Sequence, residues 1–290
     1  MAVTASRMYS PLAPKTRELG RITVGKGVSL QACAMSCIPG ERFSELQPRT
    51  PSLDASTMVR YIGFMRHLAK FFAISWRAGQ VHSSALSACT GKVGRSLTFR
   101  LGSLERHLPS RALRQKAQQV REAVERGGLD PMPVVLNHGD LVPSNMIVDK
   151  KTWVVKGYVD WAEAEYMSTG ICLYGLEHLL GYMEGAGSAR RPRFVYYQQA
   201  EQLRHAFWTA YQQQVPEIAS PEVRGSLMLA REVGIFLWHG FAWDDGSIDR
   251  VVNPEDDAEE LAYLQTFLGL DFNAAKHDSF MDGYSPVLDV

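Results

Sequence analysis

The sequence predicts an α+β protein in which a small β-rich region precedes a large, mainly helical body. Two strand-like runs, RITVG and VSLQACAMSCI, are separated by GKG, which is typical of a hairpin turn. Short apolar strands flank a polar loop near the middle of the chain, and helical patterns dominate from Thr169 onward. The 290 residues, of which 46% are hydrophobic, suffice to bury a core.

The N-terminal region is predicted to contain little more than this hairpin. The residues before it, up to about residue 18, show no periodic pattern and are predicted to be disordered. The segment IPGERFSEL interrupts the strand pattern, and the residues after it follow helical spacing instead. We therefore divide the chain into residues 1–40, a disordered start with a hairpin, and residues 41–290, the helical part that carries the motifs.

Helical periodicity identifies the elements of the second part. Apolar residues recur at helical spacing from Met58 to Phe72, which predicts a long amphipathic helix with Asp54 and Ser56 as alternative N-caps. A more charged helix is predicted from about Pro109 to Glu125, ending at RGG. Four further helical patterns follow, and the tail NAAKHDSFMDGYSPVLDV is predicted to be loosely attached.

Composition excludes several classes of partner and location. The 31 basic and 31 acidic side chains balance, which gives no sign of a nucleic-acid or anionic-membrane partner. No apolar run approaches the ~20 residues of a membrane span, and the N-terminus lacks the apolar core of a signal peptide. The four cysteines are too scattered for a disulfide framework. We expect a soluble, cytoplasmic protein.

The loop LNHGDLVPSNMIVD carries the residues with a chemical signature. A hydroxyl that attacks a phosphoryl group needs a carboxylate to accept its proton, and oxygen ligands to hold Mg²⁺. Asp140 and Asn145 come from this loop, and Asp160 follows the next predicted hairpin, NMIVDKKTWVVKGYVD. That hairpin has the length to return Asp160 beside Asn145, an order typical of kinase catalytic loops. The alternative for Asp140 and Asn145 alone is that they only cap turns.

At these residues the sequence resembles the aminoglycoside phosphotransferase (choline-kinase-like) family, specifically its fungal members. HGDLVPSN and YVDWAEAE are similar to two family motifs, AMSCIPGERFSEL resembles the interlobe hinge, and the resemblance spans residues 31–268. It implies a protein-kinase-like fold, with Asp140 as catalytic base and with Asn145 and Asp160 as Mg²⁺ ligands. The same resemblance implies that His138 braces the loop rather than reacts.

The residues before the hinge are too few for a complete nucleotide-binding lobe. Such a lobe of five strands and a helix needs about 60 residues, whereas 39 precede Gly40. We therefore predict a truncated N-lobe without the glycine-rich loop, the phosphate-clamping lysine and its glutamate partner. The run GRITVGKG begins like a P-loop, but Gly27 stands where Ser or Thr is needed and no helix pattern follows, so Lys26 is interpreted as a hairpin-turn lysine.

Three functions are compatible with these features. The first is an enzyme that needs no cofactor and cyclises or isomerises an apolar natural-product precursor of secondary metabolism, for example by a pericyclic (Diels–Alder-type) reaction, in the cleft above Asp140. The second is a small-molecule phosphotransferase that uses Mg²⁺ and ATP, and the third is a pseudokinase-like binding or scaffold protein. The candidate catalytic residues are Asp140 and His138, and the candidate substrate contacts are Trp161, Glu163, Trp238, His239 and Trp243. The partner expected is a small molecule, with a homodimer through the open strand edge around LQACAMSCI as a further hypothesis.

Overall fold

The computed structural model describes residues 1–24, 28–185, 191–244 and 247–270. Its helices are α1 (Ala2–Met8), α2 (Phe43–Leu46), α3 (Ala55–Ala78), α4 (Ala85–Ala88), α5 (Gly91–Arg95), α6 (Leu97–His107), α7 (Arg111–Glu125), α8 (Tyr174–Leu179), α9 (Ala200–Gln214), α10 (Pro221–His239) and α11 (Ala258–Phe267). Its strands are β1 (Thr16–Val24), β2 (Val28–Met35), β3 (Glu41–Arg42), β4 (Val134–Asn137), β5 (Met146–Val148), β6 (Val155–Tyr158), β7 (Glu165–Ser168), β8 (Gly181–Glu184), β9 (Arg193–Tyr196), β10 (Phe241–Asp244) and β11 (Ser247–Val251). This is the predicted α+β architecture, with few short strands and a mainly helical body.

The N-terminal strands form the predicted hairpin. β1 and β2 pair antiparallel from Thr16↔Met35 to Val24↔Val28, with a bulge between Glu18 and Gly20. Because β1 begins at Thr16, Gly20 lies within a strand rather than at the start of a phosphate-binding loop. The predicted turn with Lys26 lies outside the described residues.

The expectation of a disordered start is wrong for the residues that precede the hairpin. They form α1, and the Tyr9 ring that follows is fully buried, 4.9 Å from Phe71 and 4.8 Å from Trp161 between ring centroids. The Tyr9 hydroxyl donates to the Leu136 carbonyl at 2.5 Å. Burial of one large aromatic ring therefore holds the segment, and a single residue of this kind produces no periodic pattern in the sequence.

The predicted helices of the body are present, but two of the helical patterns after Thr169 overlap β8 and β9, which pair as an antiparallel hairpin, so the helical prediction is wrong there. Asp54 is the N-cap of α3, since its carboxylate accepts from the backbone N–H of Thr57 at 2.8 Å, while Ser56 donates its hydroxyl to the same carboxylate. α7 begins at Arg111, where Ser110 accepts from the N–H of Leu113. The predicted loose tail lies outside the described residues.

Two small antiparallel sheets position the central loop. β4 pairs with β7, and β3, β5 and β6 form a three-stranded sheet in the order β3-β5-β6. β5 and β6 are the predicted hairpin, with Met146 opposite Tyr158. The N–H of Val159 donates to the Asn145 carbonyl at 2.9 Å, so the hairpin returns the chain at Asp160 to the neighbourhood of Asn145, as predicted.

A buried ion cluster joins three helices behind this region. The Glu177 carboxylate of α8 accepts from Arg204 of α9 at 3.0 Å and from Arg231 of α10 at 2.8 Å. The Tyr196 hydroxyl also donates to it at 2.8 Å. Burial raises the pKa of Glu177, but the two guanidinium groups outweigh that effect and lower it to about 2.

The remaining expectations concern cysteines and membranes. Cys33 and Cys37 are exposed, Cys89 and Cys172 are buried, and all four are free, in accord with the predicted absence of a disulfide framework. Within the described part of the chain, no helix combines the length and the apolar character that crossing a membrane requires.

Candidate active site

The central loop is anchored at its entrance by an amide and a glycine. Asn137, the last residue of β4, donates its side-chain N–H to the Met167 carbonyl at 2.9 Å. Gly139 has a φ of +83°, and a Cβ there would lie 2.1 Å from the Glu163 carbonyl oxygen. Glycine is therefore required at this position, because a side chain would separate the loop from residue 163.

His138 is in contact with the loop rather than with the solvent. Its ring is fully buried, 4.4 Å from Trp161 between centroids, and its Nδ1 accepts from the N–H of Asp140 at 3.3 Å. Burial lowers the pKa of His138 to about 4, so the imidazole is neutral at pH 7. These contacts are those of a residue that braces the loop.

Asp140 is a partly buried carboxylate in which one oxygen accepts a hydrogen bond and the other has no partner within the described residues. Its Oδ2 accepts from the Asn145 side-chain N–H at 2.7 Å, and its backbone carbonyl accepts from the same nitrogen at 3.0 Å. Its Oδ1 is buried and has no hydrogen-bond partner among the described residues. Burial raises the pKa of Asp140 to about 6, with the Asn145 hydrogen bond opposing and the charges of Asp160 and Glu163 adding to the rise.

The structure brings Asp140 and Asn145 into contact and places Asp160 close enough for its charge to act on Asp140. Asp160 follows β6 with a φ of +64°, an uncommon conformation for a residue other than glycine, and it borders the same cavity as Asp140. Carboxylate and amide oxygens are the ligands that Mg²⁺ prefers. The unpartnered Asp140 Oδ1 and the repulsion between the two aspartates fit a cation, although no group of three or more His, Cys, Asp or Glu in the described residues has the arrangement of a metal site.

A cavity of about 820 Å³ opens beside Asp140. Its described lining residues all lie at or after Val93, so the helical body alone builds it. Eight of them are acidic and none is lysine, arginine or histidine. The acidic residues are Asp140, Asp160, Glu163, Glu165, Asp256, Asp257, Glu259 and Glu260.

Protein groups compensate some of these carboxylates but not all. Glu165 accepts from the backbone N–H groups of residues 92–94 at the start of α5. Asp257 is paired with Arg250 at 2.7 Å, and Glu260 accepts from His239 Nδ1 at 2.5 Å. Three others have neither an ion-pair partner nor a side-chain hydrogen bond within the described residues: Asp160, Glu163 and Glu259. The cavity therefore has a negative potential that a cation would neutralise.

One wall of the cavity is aromatic. The Trp238 ring stacks on the Tyr174 ring with centroids 5.3 Å apart and planes 6° from parallel, and Phe241 lies beside them in the lining. The lining of the same space also includes Asp140 and Glu163. The cavity thus combines an apolar surface with carboxylates.

The structure separates the predicted substrate contacts into two groups. Glu163 and Trp238 line the cavity, whereas Trp161 and His239 are buried behind its wall. Trp161 lies in the core because its ring packs on His138 and its Nε1 donates to the Tyr158 carbonyl at 2.9 Å. The side chain of Trp243 lies outside the described residues.

Sequence reasoning did not identify several residues of this cavity. Tyr174 lies in the run ICLYGLEHLL, where its apolar neighbours favour an interpretation as helix core. Glu259 and Glu260 begin α11, where acidic residues are common because they interact with the helix dipole. Only the packing of α8, α10 and α11 around the loop shows that these residues share one space.

Comparison with known proteins identifies the family. The family model described as phosphotransferase enzyme family, APH, matches residues 8–220. No curated protein matches the chain.

Solved structures of several kinase-like phosphotransferases are similar to this chain. An aminoglycoside-3'-phosphotransferase of type VIII is 17% identical, with a TM-score of 0.47, over 80% of this chain and 77% of its own. The aminoglycoside phosphotransferase APH(3'')-Id from Streptomyces rimosus, in complex with ADP and streptomycin, is 15% identical, with a TM-score of 0.46, over 79% and 78%. An ethanolamine kinase from Plasmodium vivax is 11% identical, with a TM-score of 0.44, over 82% and 64%.

Proposed function

Because the chain belongs to the phosphotransferase enzyme family and has its kinase-like α+β fold, we propose that it transfers a phosphoryl group from Mg·ATP to a hydroxyl of a small cationic molecule. One observation carries this proposal. Asp140, a carboxylate with a pKa near neutrality, borders an acidic cavity large enough for a small molecule. The position and protonation of Asp140 suit a general base, and the charge of the cavity suits a cationic acceptor.

The chemical step follows from the surroundings of Asp140. Asn145 holds the Asp140 carboxylate through Oδ2, and this carboxylate, which borders the cavity, accepts the proton of the acceptor hydroxyl. The hydroxyl oxygen forms a bond to the γ-phosphorus of ATP, the bond to the β-γ bridging oxygen breaks, and ADP leaves with those electrons. His138 is neutral and holds the Asp140 backbone in place. Mg²⁺, held by Asn145 and Asp160, would neutralise charge on the phosphates.

The acceptor class follows from the cavity. An ammonium group about 4 Å from one carboxylate gains roughly 4 kcal/mol at an effective dielectric constant of 20, before desolvation is subtracted. Glu163 and Glu259 have no competing cation within the described residues and are not assigned to Mg²⁺, so they are available to such a group. A hydroxylated amine satisfies both requirements of the site, since its ammonium group binds the carboxylates while its hydroxyl approaches Asp140.

The second candidate is a cyclisation or isomerisation of an apolar natural-product precursor without ATP. The stacked Tyr174 and Trp238 rings favour it, because they offer an apolar surface beside an aspartate that is partly protonated near pH 6. Lysine and arginine are also absent from the described lining, and phosphate clamps use these residues. In this candidate Asp140 would donate or accept a proton on the precursor itself.

Binding and turnover assays separate the two candidates. Mg·ATP is titrated calorimetrically at millimolar concentration, and phosphorylation is then measured on matched panels of amino alcohols and uncharged alcohols. We expect saturable Mg·ATP binding, preference for amino alcohols, and a loss of at least about 100-fold in kcat for Asp140→Asn. Asp149→Asn is the matched control, since Asp149 caps an exposed turn outside the cavity.

Other outcomes of the same assays would contradict the proposed phosphotransfer. Absence of Mg·ATP binding would exclude phosphotransfer, and turnover of an apolar precursor in EDTA, lost in Asp140→Asn, would establish the second candidate. If neither phosphorylation nor turnover of an apolar precursor is found, and Asp140→Asn leaves the binding of Mg·ATP unchanged, the result supports a binding or scaffold protein.

A further inference from the structure

The hydroxyl of Tyr174 connects the two peptides that flank Asp140. It accepts from the backbone N–H of Leu141 at 3.1 Å and donates to the carbonyl of Gly139 at 3.0 Å. Tyr174 is buried and is the first residue of α8, so its own position is fixed by the helix. Rotation of the Asp140 backbone would therefore break at least one of these two hydrogen bonds.

The beginning of α8 lies directly against the same loop. A Cβ on Gly175 would be 2.4 Å from the Leu141 carbonyl oxygen, which shows that no side chain separates the helix from the loop. The Cys172 sulfur, just before the helix, accepts from the N–H of Gly139 at 3.4 Å. Residues 172–175 thus support the loop from one side.

Tyr174 also belongs to the lining of the cavity. Its ring stacks in parallel on Trp238, and both rings belong to the cavity lining. One side chain therefore contacts the backbone on either side of Asp140 and also the wall against which an acceptor would bind.

We infer that Tyr174 is a positioning residue that fixes Asp140 for proton transfer and connects it to the Trp238 wall, an inference that rests on the proposed phosphotransfer. Burial holds the pKa of the Tyr174 hydroxyl well above its ordinary value, so the hydroxyl keeps the proton that it donates to Gly139. His138 and Asn145 hold Asp140 at its own N–H and at its carboxylate, and Tyr174 holds the peptides before and after it.

Tyr174→Phe is the direct test, because it removes the hydroxyl and keeps the ring that stacks on Trp238. We expect kcat to fall by about 10- to 100-fold, the range that a misplaced catalytic group can produce. KM for the acceptor should change less than about twofold, since the cavity wall is intact. Tyr211→Phe is the matched control: Tyr211 is buried in α9, outside the cavity lining, and its hydroxyl has no hydrogen-bond partner within the described residues.

Gly175→Ala perturbs the same contact without changing Tyr174. Its new methyl group would push the loop away at Leu141, so it should reproduce the selective loss of kcat. Gly225→Ala is the control, because nothing lies within 4 Å of the position of its Cβ and alanine is favourable in α10. This pair of variants also tests the positioning role of Tyr174 if Tyr174→Phe fails to fold.

Hydrogen exchange at the Leu141 amide, measured without substrates, separates this inference from the proposed function. If the wild-type protein shows no phosphotransfer, the proposed function fails, yet faster exchange in Tyr174→Phe than in Tyr211→Phe still supports the positioning role. An exchange rate of the Leu141 amide in Tyr174→Phe that equals the rate in Tyr211→Phe would overturn the positioning role. In an active enzyme, an unchanged kcat for both Tyr174→Phe and Gly175→Ala would overturn it as well.

Discussion

At the scale of single residues, Asp140 shows how the environment adapts an ordinary side chain to catalysis. Its carboxylate is partly buried, shares the cavity with Asp160 and Glu163, and receives one hydrogen bond from Asn145. Burial and like charges favour the protonated form, whereas the hydrogen bond favours the charged form. The result is a base whose pKa of about 6 lies close to a physiological pH.

This balance predicts a pH dependence of stability in Asp140→Asn. A carboxyl whose pKa rises on folding from 3.8 to about 6 stabilises the protein below pH 4 and loses that contribution as the pH rises through 6. At pH 8 in EDTA the variant should therefore melt above the wild-type protein, by the equivalent of about 1 kcal/mol after allowance for solvent screening. Thermal unfolding between pH 4 and 8 measures the difference, which should shrink towards pH 4. A difference that grows towards acid pH would contradict the assigned direction.

How far the site can be predicted depends on the sequence distance between its residues. Asp140, Asn145 and Asp160 lie on one loop and one hairpin, where spacing alone indicates that they meet. Tyr174 and Glu260 reach the same cavity through the packing of separate helices, and no local pattern records that packing. His239 lies one residue beyond Trp238 but is buried outside the described lining, where it contacts the lining residue Glu260.

At the scale of elements, the helices around the site are held together by a buried charge as well as by apolar contacts. Glu177 of α8 bonds Arg204 of α9 and Arg231 of α10, and Arg231 also donates to the Phe267 carbonyl of α11. A buried ion pair adds little net stability over an apolar replacement, but removal of one partner leaves charges unpaired. The cluster therefore fixes the relative positions of the helices that carry the cavity wall.

Glu177→Gln should consequently be among the most destabilising substitutions in this body. We expect a loss of about 3–5 kcal/mol in the free energy of unfolding, since Arg231 loses its carboxylate partner within the described residues and Arg204 keeps only Glu201. Denaturant titration provides the measurement. Glu184→Gln is the control, because its pair with Arg193 is exposed and should contribute less than about 1 kcal/mol. Equal losses in the two variants would show that the Glu177 cluster is not the fixing contact.

Elements were predictable from the sequence in proportion to their regularity. The long α3 has a continuous apolar face and a polar N-cap, so the periodicity of its sequence is sufficient to predict the helix. α1 is short, and its attachment depends on Tyr9, whose ring finds its partners in α3 and after β6. The prediction failed there because those contacts join residues far apart in the chain.

At the scale of the whole molecule, the N-terminal hairpin stands apart from the helical body. Ile22 and Leu30 face each other across β1 and β2 and remain 55% and 52% exposed. Within the described residues neither strand pairs with a third strand. A two-stranded hairpin with an exposed apolar face is only marginally stable by itself, and its open edges favour pairing with another strand.

We therefore expect self-association through this hairpin. Sedimentation velocity over a range of concentrations should detect a dimer, and Leu30→Glu should shift it towards monomer by introducing a charge on the apolar face. Val59→Glu, on an exposed position of α3, is the matched control. A wild-type protein that remains monomeric at high concentration would exclude the homodimer.

The concentration of carboxylates in the cavity has an electrical consequence for the entire molecule. Acidic and basic residues are equal in number over the chain, yet eight of the acidic ones line a single space. The rest of the chain then carries an excess of basic residues, and this separation of charge gives the molecule a dipole with its negative end towards the cavity, reduced where Arg250 pairs with Asp257. Such a dipole guides cations inward from a distance at low ionic strength, and it also lets the mouth of one molecule attract the back of another.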